Sequence, residues 1–200
     1  MTVQRRTQAD RSATTRRALV KAARRLFTEH GYAAVGTERI ASEAGVSRGA
    51  LYHQFPDKSE LFAAVFEAVE VELLVRLGHH LPNADASDPR AVLLAGADAW
   101  LDASMEPEVQ RVVLLDGPAV LGWERWRDIG LRYGLGLVSA VLSDAIAAGL
   151  IPEQPVDPLA HALVGALDEA ALYVASATDP VTARKEMGAV VQQLITALCA

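Results

Sequence analysis

The apolar residues of the chain recur at the three- and four-residue spacing of helices. An early stripe comprises Leu19, Ala22, Ala23, Leu26 and Phe27. The opposite face of the same predicted helix carries Arg17, Lys21, Arg24 and Arg25, which no small core could bury. Alternating patterns of β-branched and aromatic residues, which are typical of strands, are missing, while alanine and leucine dominate. The sequence therefore predicts an all-α protein.

Two short helices are predicted between residues 37 and 55, joined by a turn that contains a glycine. Thr37 is suited to cap the first helix, Gly45 gives the backbone freedom to end it, and Ser47 is suited to cap the second. Leu51 and Phe55 share one face and must pack on preceding helices, because a helix this short is unstable alone in water. A third helix follows directly. This order is typical of a helix-turn-helix DNA-binding domain.

Longer helices are predicted for the rest of the chain. Asp57 and Glu60 are suited to cap the next helix as an acidic box. Its buried stripe comprises Leu61, Phe62, Val65, Val69, Leu73 and Leu77. Prolines and small polar residues predict a loop over residues 79–89. Further helices are predicted over residues 88–104, 107–115, 122–148, 157–175 and 180–198, with a break at Asp116-Gly117-Pro118.

Charge is distributed unevenly along the 200 residues. Residues 1–58 hold eleven Lys and Arg against five Asp and Glu, a net charge of +6, and the remaining residues hold eight against twenty, a net charge of −12. The basic end coincides with the predicted helix-turn-helix, as DNA binding requires. Arg5, Arg6 and Arg11 lie in an N-terminal segment that is either a mobile basic arm or an uninvolved solvated tail.

Several classes of site are missing from the sequence. Cys199 is the only cysteine, which excludes an internal disulfide and a zinc site built on cysteines. Adjacent His79 and His80 diverge by about 100° on a helix, so one metal ion is not expected to bind both. No nucleophile motif, phosphate loop or metal-spaced His and Glu set is found, so no catalytic residue or cofactor is predicted. Without a signal-like segment or an uncharged run of roughly 18 residues, we expect a cytoplasmic protein that is not bound to membranes.

Residues 14–62 resemble the DNA-binding domain of the tetracycline-repressor (TetR) family of bacterial transcriptional regulators. The motifs that carry the resemblance are Ala22-Ala23-Arg24-Arg25-Leu26-Phe27 with Gly31-Tyr32, Thr37 with Ile40-Ala41, Ala44-Gly45-Val46-Ser47, Gly49-Ala50-Leu51-Tyr52-His53-Gln54-Phe55, and Lys58 with Leu61-Phe62. Beyond residue 62 the resemblance is one of architecture, because members of the family share an all-helical second domain with little common sequence.

The second short helix carries the predicted base contacts. A helix-turn-helix places the N-terminal end of this helix in the major groove. Arg48 lies at that end and can bond guanine bidentately or bind a phosphate. Gly49 leaves room for the backbone to approach DNA, or is a tolerated helix glycine. Tyr52 resembles a family tyrosine that reaches a phosphate, with packing as its alternative, and His53 matches a position that touches base or backbone in relatives.

Residues at helix starts are predicted to bind phosphates, because exposed N–H groups and hydroxyls there suit a phosphate oxygen. Capping alone would also explain Thr37 and Ser47, and Lys58 could be an ordinary surface residue. The predicted DNA-binding residues are Thr37, Ser47, Arg48, Gly49, Tyr52, His53 and Lys58.

Large aromatic residues concentrate in the second half of the chain. Aromatic walls with a few polar groups form small-molecule pockets, although each ring alone could fill a core; relatives in the TetR family have such a pocket. Asp168 lies in an apolar stretch and is predicted to serve the pocket or an interface, with Glu169 exposed. The predicted ligand-binding residues are Trp100, Met105, Trp123, Trp126, Tyr133 and Asp168. Close helix approach is predicted at Gly130, Gly134 and Gly136.

The last two helices are predicted to pair with their symmetry mates, as the corresponding helices do in relatives. One apolar stripe comprises Leu159, Leu163, Ala166, Ala170 and Tyr173, and the other Val190, Val191, Leu194, Ile195 and Leu198. A two-fold homodimer suits a palindromic site, because it spaces two recognition helices by about 34 Å or somewhat more.

These observations predict three parts: a flexible basic arm over residues 1–11, a helix-turn-helix DNA-binding domain over 12–58, and a helical ligand-binding and dimerisation domain over 59–200. The predicted function is a transcriptional repressor that binds palindromic operator DNA and is released by an unknown small-molecule inducer. Two alternatives stay open. One is a DNA-binding regulator that is controlled by a protein partner or acts as an activator, and the other is an all-helical enzyme.

Overall fold

The computed structural model describes residues 8–80 and 87–199, and every regular element in these two ranges is helical. The helices in chain order are α1 (Gln8–His30), α2 (Thr37–Glu43), α3 (Arg48–Gln54), α4 (Lys58–His80), α5 (Pro89–Ala103), a π-helical stretch called here the π segment (Val109–Asp116), α6 (Gly117–Leu121), α7 (Trp123–Ala147), α8 (Val156–Ser176) and α9 (Pro180–Leu198). The predicted all-α class is confirmed.

Two of the predicted caps are confirmed and one is wrong. The Ala50 N–H donates to the Ser47 hydroxyl at 3.1 Å, and the Glu60 N–H donates to Asp57 at 2.8 Å. Gly45 ends α2 with a positive φ of 67°, a conformation that favours glycine. The first helical residue of α2 is Thr37 itself, so the capping position belongs to the preceding glycine. The Thr37 hydroxyl therefore remains available for a different contact, described below.

The acidic box predicted at the start of α4 is incomplete. Glu60 does not return a bond to the cap, because both of its carboxylate oxygens accept hydrogen bonds from Arg125 of α7, at 2.6 and 3.0 Å. The ion pair joins the N-terminal end of α4 to the second half of the chain. A local pattern could not reveal this partner, which lies 65 residues away.

The predicted break at residues 116–118 is wrong, because the chain remains helical from the π segment into α6. Pro118 has no N–H to donate to the preceding turn, and the carbonyl of Val113, five residues earlier, accepts a hydrogen bond from the Trp126 indole at 2.9 Å. Gly117 is required here by close packing: a Cβ atom at this position would lie 2.8 Å from Trp126 Cδ1 and 2.9 Å from Phe66 Cε2.

The N-terminal segment and the loop between α4 and α5 differ in part from the prediction. Arg11 lies on helix α1 instead of in an arm, whereas Arg5 and Arg6 lie outside the described residues. Helix α4 continues to His80, which shortens the predicted 79–89 loop, and residues 81–86 also lie outside the described ranges.

Two apolar cores hold the described residues together. The first joins α1, α2 and α3 to α4 and extends through the π segment to Trp126, Ile129 and α8. Phe27, Tyr32 and Phe62 form a ring cluster at its start, with centroids 5.3–5.6 Å apart. The second core joins α5, α7, α8 and α9. Because the first core continues across residue 58, the DNA-binding part is packed directly on the rest of the molecule.

Helices α7 and α8 are long and apolar enough, by length and composition alone, to cross a membrane. Both contribute residues to the second core and pack against each other and against α5. The core helices of a soluble protein have the same composition, so their hydropathy is weak evidence for a membrane span.

Candidate functional site

Helix α3 is anchored by its inner face and leaves its outer face free. Leu51 and Phe55 are fully buried, as predicted. The Gln54 amide donates to the Ser12 hydroxyl of α1 at 2.9 Å, and the Arg16 guanidinium lies 4.3 Å from the centre of the Phe55 ring. On the outer face lie the predicted DNA contacts Ser47, Arg48, Gly49, Tyr52 and His53, all of which are exposed.

The exposed side chains at the start of α2 and α3 are held in a small network. The Thr37 and Tyr52 hydroxyls lie 3.2 Å apart, and the Arg48 guanidinium lies 5.6 Å from the Tyr52 ring centre. Hydrogen bonds from Thr37 and then Arg48 lower the pKa of Tyr52. Arg48 also donates to Glu38 at 2.7 Å. An exposed ion pair of this kind contributes little stability, so Arg48 can exchange Glu38 for a base or phosphate at small cost.

Lys58 has an internal role that the sequence did not indicate. Its Nζ donates to the backbone carbonyls of Tyr32 and Val35, at 2.9 and 3.0 Å, and lies 3.9 Å from the Tyr32 ring centre. Burial lowers the pKa of Lys58. Two of the three ammonium N–H groups are therefore used to fasten the loop between α1 and α2. The predicted phosphate contact stays a prediction.

Gly49 has no packing neighbour that would exclude a side chain. A Cβ atom at this position would find only the Ser47 hydroxyl within 4 Å, at 3.9 Å. Space beside the outer face of α3 is therefore open, as close approach to DNA would require. Arg24, by contrast, turns away from this face: it is half-buried and binds Glu72 and Glu108 at 2.5 and 2.6 Å.

A cavity of about 150 Å³ lies between α4, α5, α7 and α8. Trp100, Trp126 and Tyr133 line it, as predicted. Both indole N–H groups are already used: Trp100 donates to the Leu167 carbonyl at 3.0 Å and Trp126 to the Val113 carbonyl at 2.9 Å. Neither indole N–H group is therefore free to donate to a ligand.

One end of the cavity is polar. Asp168 lines it, as predicted, and accepts a hydrogen bond from Arg127 at 3.1 Å. Burial raises the pKa of Asp168 to about 6, and Arg127 opposes this shift. Glu70 of α4 lies nearby with only 9% of its surface exposed. Its burial, together with the charge of Asp168, raises the pKa of Glu70 to about 7.

The chain matches the models of two known protein families. The family described as bacterial regulatory proteins, tetR family, matches residues 19–65, and the tetracyclin repressor-like C-terminal domain matches residues 91–198. The chain belongs to the TetR family. It is a DNA-binding transcriptional regulator with an N-terminal helix-turn-helix and a larger helical C-terminal domain.

Individual TetR-family proteins and structures agree with this assignment. The transposon Tn10 TetC protein of Escherichia coli is 27% identical over 158 residues, which cover 79% of each chain. A crystal structure of a TetR-family transcriptional regulator from Pectobacterium atrosepticum is 32% identical, covers 98% of each chain and has a TM-score of 0.85. The crystal structure of RolR in complex with resorcinol shares the fold, at 22% identity and a TM-score of 0.74 over 94% of this chain and 90% of RolR.

In this TetR-family regulator, two predicted ligand residues lie away from the cavity. Trp123 is 63% exposed and is not among the lining residues; its ring centroid lies 5.0 Å from that of Trp126, with the two rings tilted by 44°. Met105 follows the end of α5 and is not among the lining residues. Proximity in sequence to other aromatic residues placed both in the predicted set, but Met105 lies in the turn after α5 and Trp123 is exposed at the start of α7.

The glycines of α7 are not positions of close helix packing, and two of the three line the cavity. Gly130 and Gly134 line it, and a Cβ atom at either would meet nothing within 4 Å. The same open space surrounds Gly136, which is exposed. The predicted close helix approach is therefore wrong at all three positions.

Sequence reasoning also missed Glu70 and Arg127. Glu70 lies four residues after Phe66 and three before Leu73, both buried in α4. A carboxyl group at a position of the buried stripe is a signal, because an acid rarely occupies a core position without a purpose. Among the described residues, no group of three or more His, Cys, Asp or Glu is placed to hold a metal ion.

Proposed function

We propose that this TetR-family regulator is a repressor that binds a palindromic operator as a homodimer and leaves the operator when a small molecule fills the cavity between α4, α5, α7 and α8. The DNA contacts in this proposal are Thr37, Ser47, Arg48, Gly49, Tyr52, His53 and Lys58. The chain acts in the cytoplasm, where its operator is, and it carries out no catalysis. RolR, which shares the fold, has been crystallised with the small molecule resorcinol, and this supports a ligand of modest size.

The observation that carries the proposal is that one stretch of chain touches both the cavity and the DNA-binding part. Val113 and Leu114 of the π segment line the cavity. Glu108, just before the segment, accepts two hydrogen bonds from Arg24 of α1, each at 2.6 Å. Asp116, at its end, accepts a hydrogen bond from the Tyr32 N–H at 2.7 Å. A shift of the segment would therefore move α1 and the helices packed on it.

A population shift connects the two sites in this proposal. The ligand favours the form of the π segment that gives the cavity more room, and DNA favours the form in which the two recognition helices match successive major grooves. Ligand acts on DNA affinity only through its different affinity for these two forms. Helical segments of the π type depart from the ordinary α-helical bond pattern and occur often at functional sites.

Exposed apolar side chains on the last two helices support the homodimer. Tyr173 of α8 and Val190 and Leu194 of α9 are 52%, 49% and 56% exposed. Large apolar side chains clustered on neighbouring helices mark an interaction surface more often than a solvated one. Pairing of α8 and α9 with their symmetry mates would cover them, as a four-helix bundle.

Operator binding provides the first test. In a gel shift on palindromic DNA flanking the coding region, Arg48→Ala should weaken binding by about 1–3 kcal/mol and relax the base preference at one position of each half-site. Tyr52→Phe, which removes a single hydroxyl, should weaken binding without changing the base preference. Arg132→Ala, on the exposed side of α7, is the matched control and should bind normally. Unchanged binding by both Arg48→Ala and Tyr52→Phe would overturn the contact assignment.

Release from the operator provides the second arm of the same experiment. The fraction of a host-cell lysate below about 3 kDa should dissociate the wild-type complex, and the protein fraction should not. The opposite result would show that the regulator responds to a protein partner. Activation of a reporter gene by the unliganded protein would contradict the assignment as a repressor.

A further inference from the structure

Glu70 lacks a partner within the described part of the chain. The carboxyl lies on the inner face of α4, more than nine-tenths buried, and it lines the cavity. Neither a hydrogen bond nor an ion pair joins it to any residue in the ranges 8–80 and 87–199. Burial of a carboxylate without a partner is costly, so a group of this kind usually has a ligand or a proton to compensate it.

The other polar groups of the cavity decide which ligand would satisfy Glu70. Three charged side chains line it within the described residues: Glu70, Asp168 and Arg127. Arg127 is engaged by Asp168, and the two indole N–H groups are engaged by backbone carbonyls. When both acids are ionised, the three groups carry a net charge of −1. The cavity therefore offers carboxylate acceptors and aromatic side chains, and the surplus charge of its lining is negative.

We propose that the ligand of this cavity is a compact, largely apolar molecule with a protonated amine, and that its ammonium group binds the Glu70 carboxylate. The inference rests on the proposed function, because it names the chemical class of the inducer. An ammonium group supplies the N–H donors and the positive charge that Glu70 lacks. The aromatic rings of Trp100 and Trp126 in the lining can add cation–π attraction.

The rest of the cavity fits the apolar part of such a ligand. Gly130 and Gly134 leave the α7 wall open, so a ring or a branched chain can lie against the helix backbone. Aliphatic side chains of α5 and α8 form the remaining walls, among them Leu93 and Leu163. A carboxylate ligand is disfavoured, because its charge would face both Glu70 and Asp168.

Matched sets of small probes test the inference. Each set keeps one apolar skeleton, benzyl, 2-phenylethyl or 2-naphthylmethyl, and changes its polar group from amine to alcohol to carboxylate. Binding is measured by calorimetry on the full-length protein at pH 8, where Glu70 is ionised. For each skeleton that binds, the amine should bind about 10- to 100-fold more tightly than the alcohol, the ratio for a hydrogen bond to a charged group, and the carboxylate should bind worst.

Two variants separate Glu70 from a general effect of charge. Glu70→Gln keeps the shape of the side chain and should reduce amine binding about 10- to 100-fold while leaving alcohol binding within about threefold. Glu67→Gln, one turn earlier on α4 and outside the cavity, is the matched control and should bind amines normally. Thermal melting of each variant confirms that the fold is intact.

The possible outcomes distinguish the inference from the proposed function. If alcohols or carboxylates bind at least as tightly as amines, or if Glu70→Gln binds amines normally, the amine assignment is overturned and the cavity remains a ligand site. If no probe of any skeleton binds up to about 10 mM, both the amine assignment and the ligand-controlled repressor lose their support. An amine that binds through Glu70 and also dissociates the operator complex would support both.

Discussion

The DNA-binding part and the second half of this TetR-family regulator use their cores in opposite ways. Around α1, α2 and α3 the core is filled: Phe27, Leu51 and Phe55 are at most 2% exposed, and the candidate DNA contacts lie outside it. Between α4, α5, α7 and α8 the core is hollow, and the candidate ligand contacts line the space within. A filled core tolerates little change, whereas a hollow one can vary its lining and keep its outer shape.

The largest effect should come from shortening matched leucines in the two cores. Leu51→Ala in the filled core should reduce the free energy of unfolding by about 2–5 kcal/mol, because it removes buried methyl groups and leaves a void. Leu163→Ala, on the cavity wall, should cost roughly 1 kcal/mol, because its side chain already borders empty space. Urea unfolding at one fixed protein concentration measures both. Equal losses would contradict the contrast between the two cores.

The same contrast explains how much of the molecule the sequence could predict. Around α3, the local structure depends on residues close in sequence. The Ser47 cap, the Gly45 turn and the buried residues Leu51 and Phe55 can therefore be predicted from the spacing of residues. What the sequence missed there involves partners further away, such as the carbonyl groups that hold Lys58. The predicted all-helical architecture and the long helices were confirmed for the same reason, since periodicity is a local signal.

The cavity required information that no local pattern contains. Residue type indicated Trp126 and Asp168, which line the cavity, but it also indicated Trp123, which is exposed. Which face of a helix borders the cavity depends on how the helices pack together. That packing depends on residues far apart in sequence, such as Glu70 and Asp168, which are 98 positions apart. The sequence did contain two signals, because Asp168 and Glu70 both interrupt apolar stretches, and the second of them was missed.

The stability of the protein should depend on pH, because ionised Glu70 in the cavity lowers the free energy of unfolding. Burial raises the pKa of Glu70 from 4.5 to about 7 in the folded protein. Between these values the unfolded chain has released a proton that the folded chain retains, so the contribution of Glu70 to stability falls as pH rises. Above pH 7 the loss of unfolding free energy caused by Glu70 is constant, at about 3 kcal/mol for this difference in pKa. The other charged or titratable residues that line the cavity with Glu70 are Asp168, Arg127 and Tyr133.

Urea unfolding of Glu70→Gln across the pH range measures this cost. Glutamine does not titrate, so the stability of the variant relative to wild type should increase from pH 4.5 to pH 8 and then level off. Glu67→Gln on the outer side of α4 should show no such trend. A difference between Glu70→Gln and wild type that is independent of pH would indicate that Glu70 is solvated in the free protein.

The smallest expected effect comes from two glycines that meet opposite surroundings. Gly117→Ala places a methyl group 2.8 Å from Trp126 and 2.9 Å from Phe66, and overpacking of this kind should exceed the gain in helix propensity and lower stability by about 1 kcal/mol. Gly134→Ala faces empty space, so helix propensity alone should raise stability by up to about 1 kcal/mol. Urea midpoints with unchanged slopes would measure both. If Gly134→Ala also lowered stability, the walls of the cavity would have rearranged in solution and filled the space beside Gly134. The contrast between a filled and a hollow core would then fail at the position where it is easiest to test.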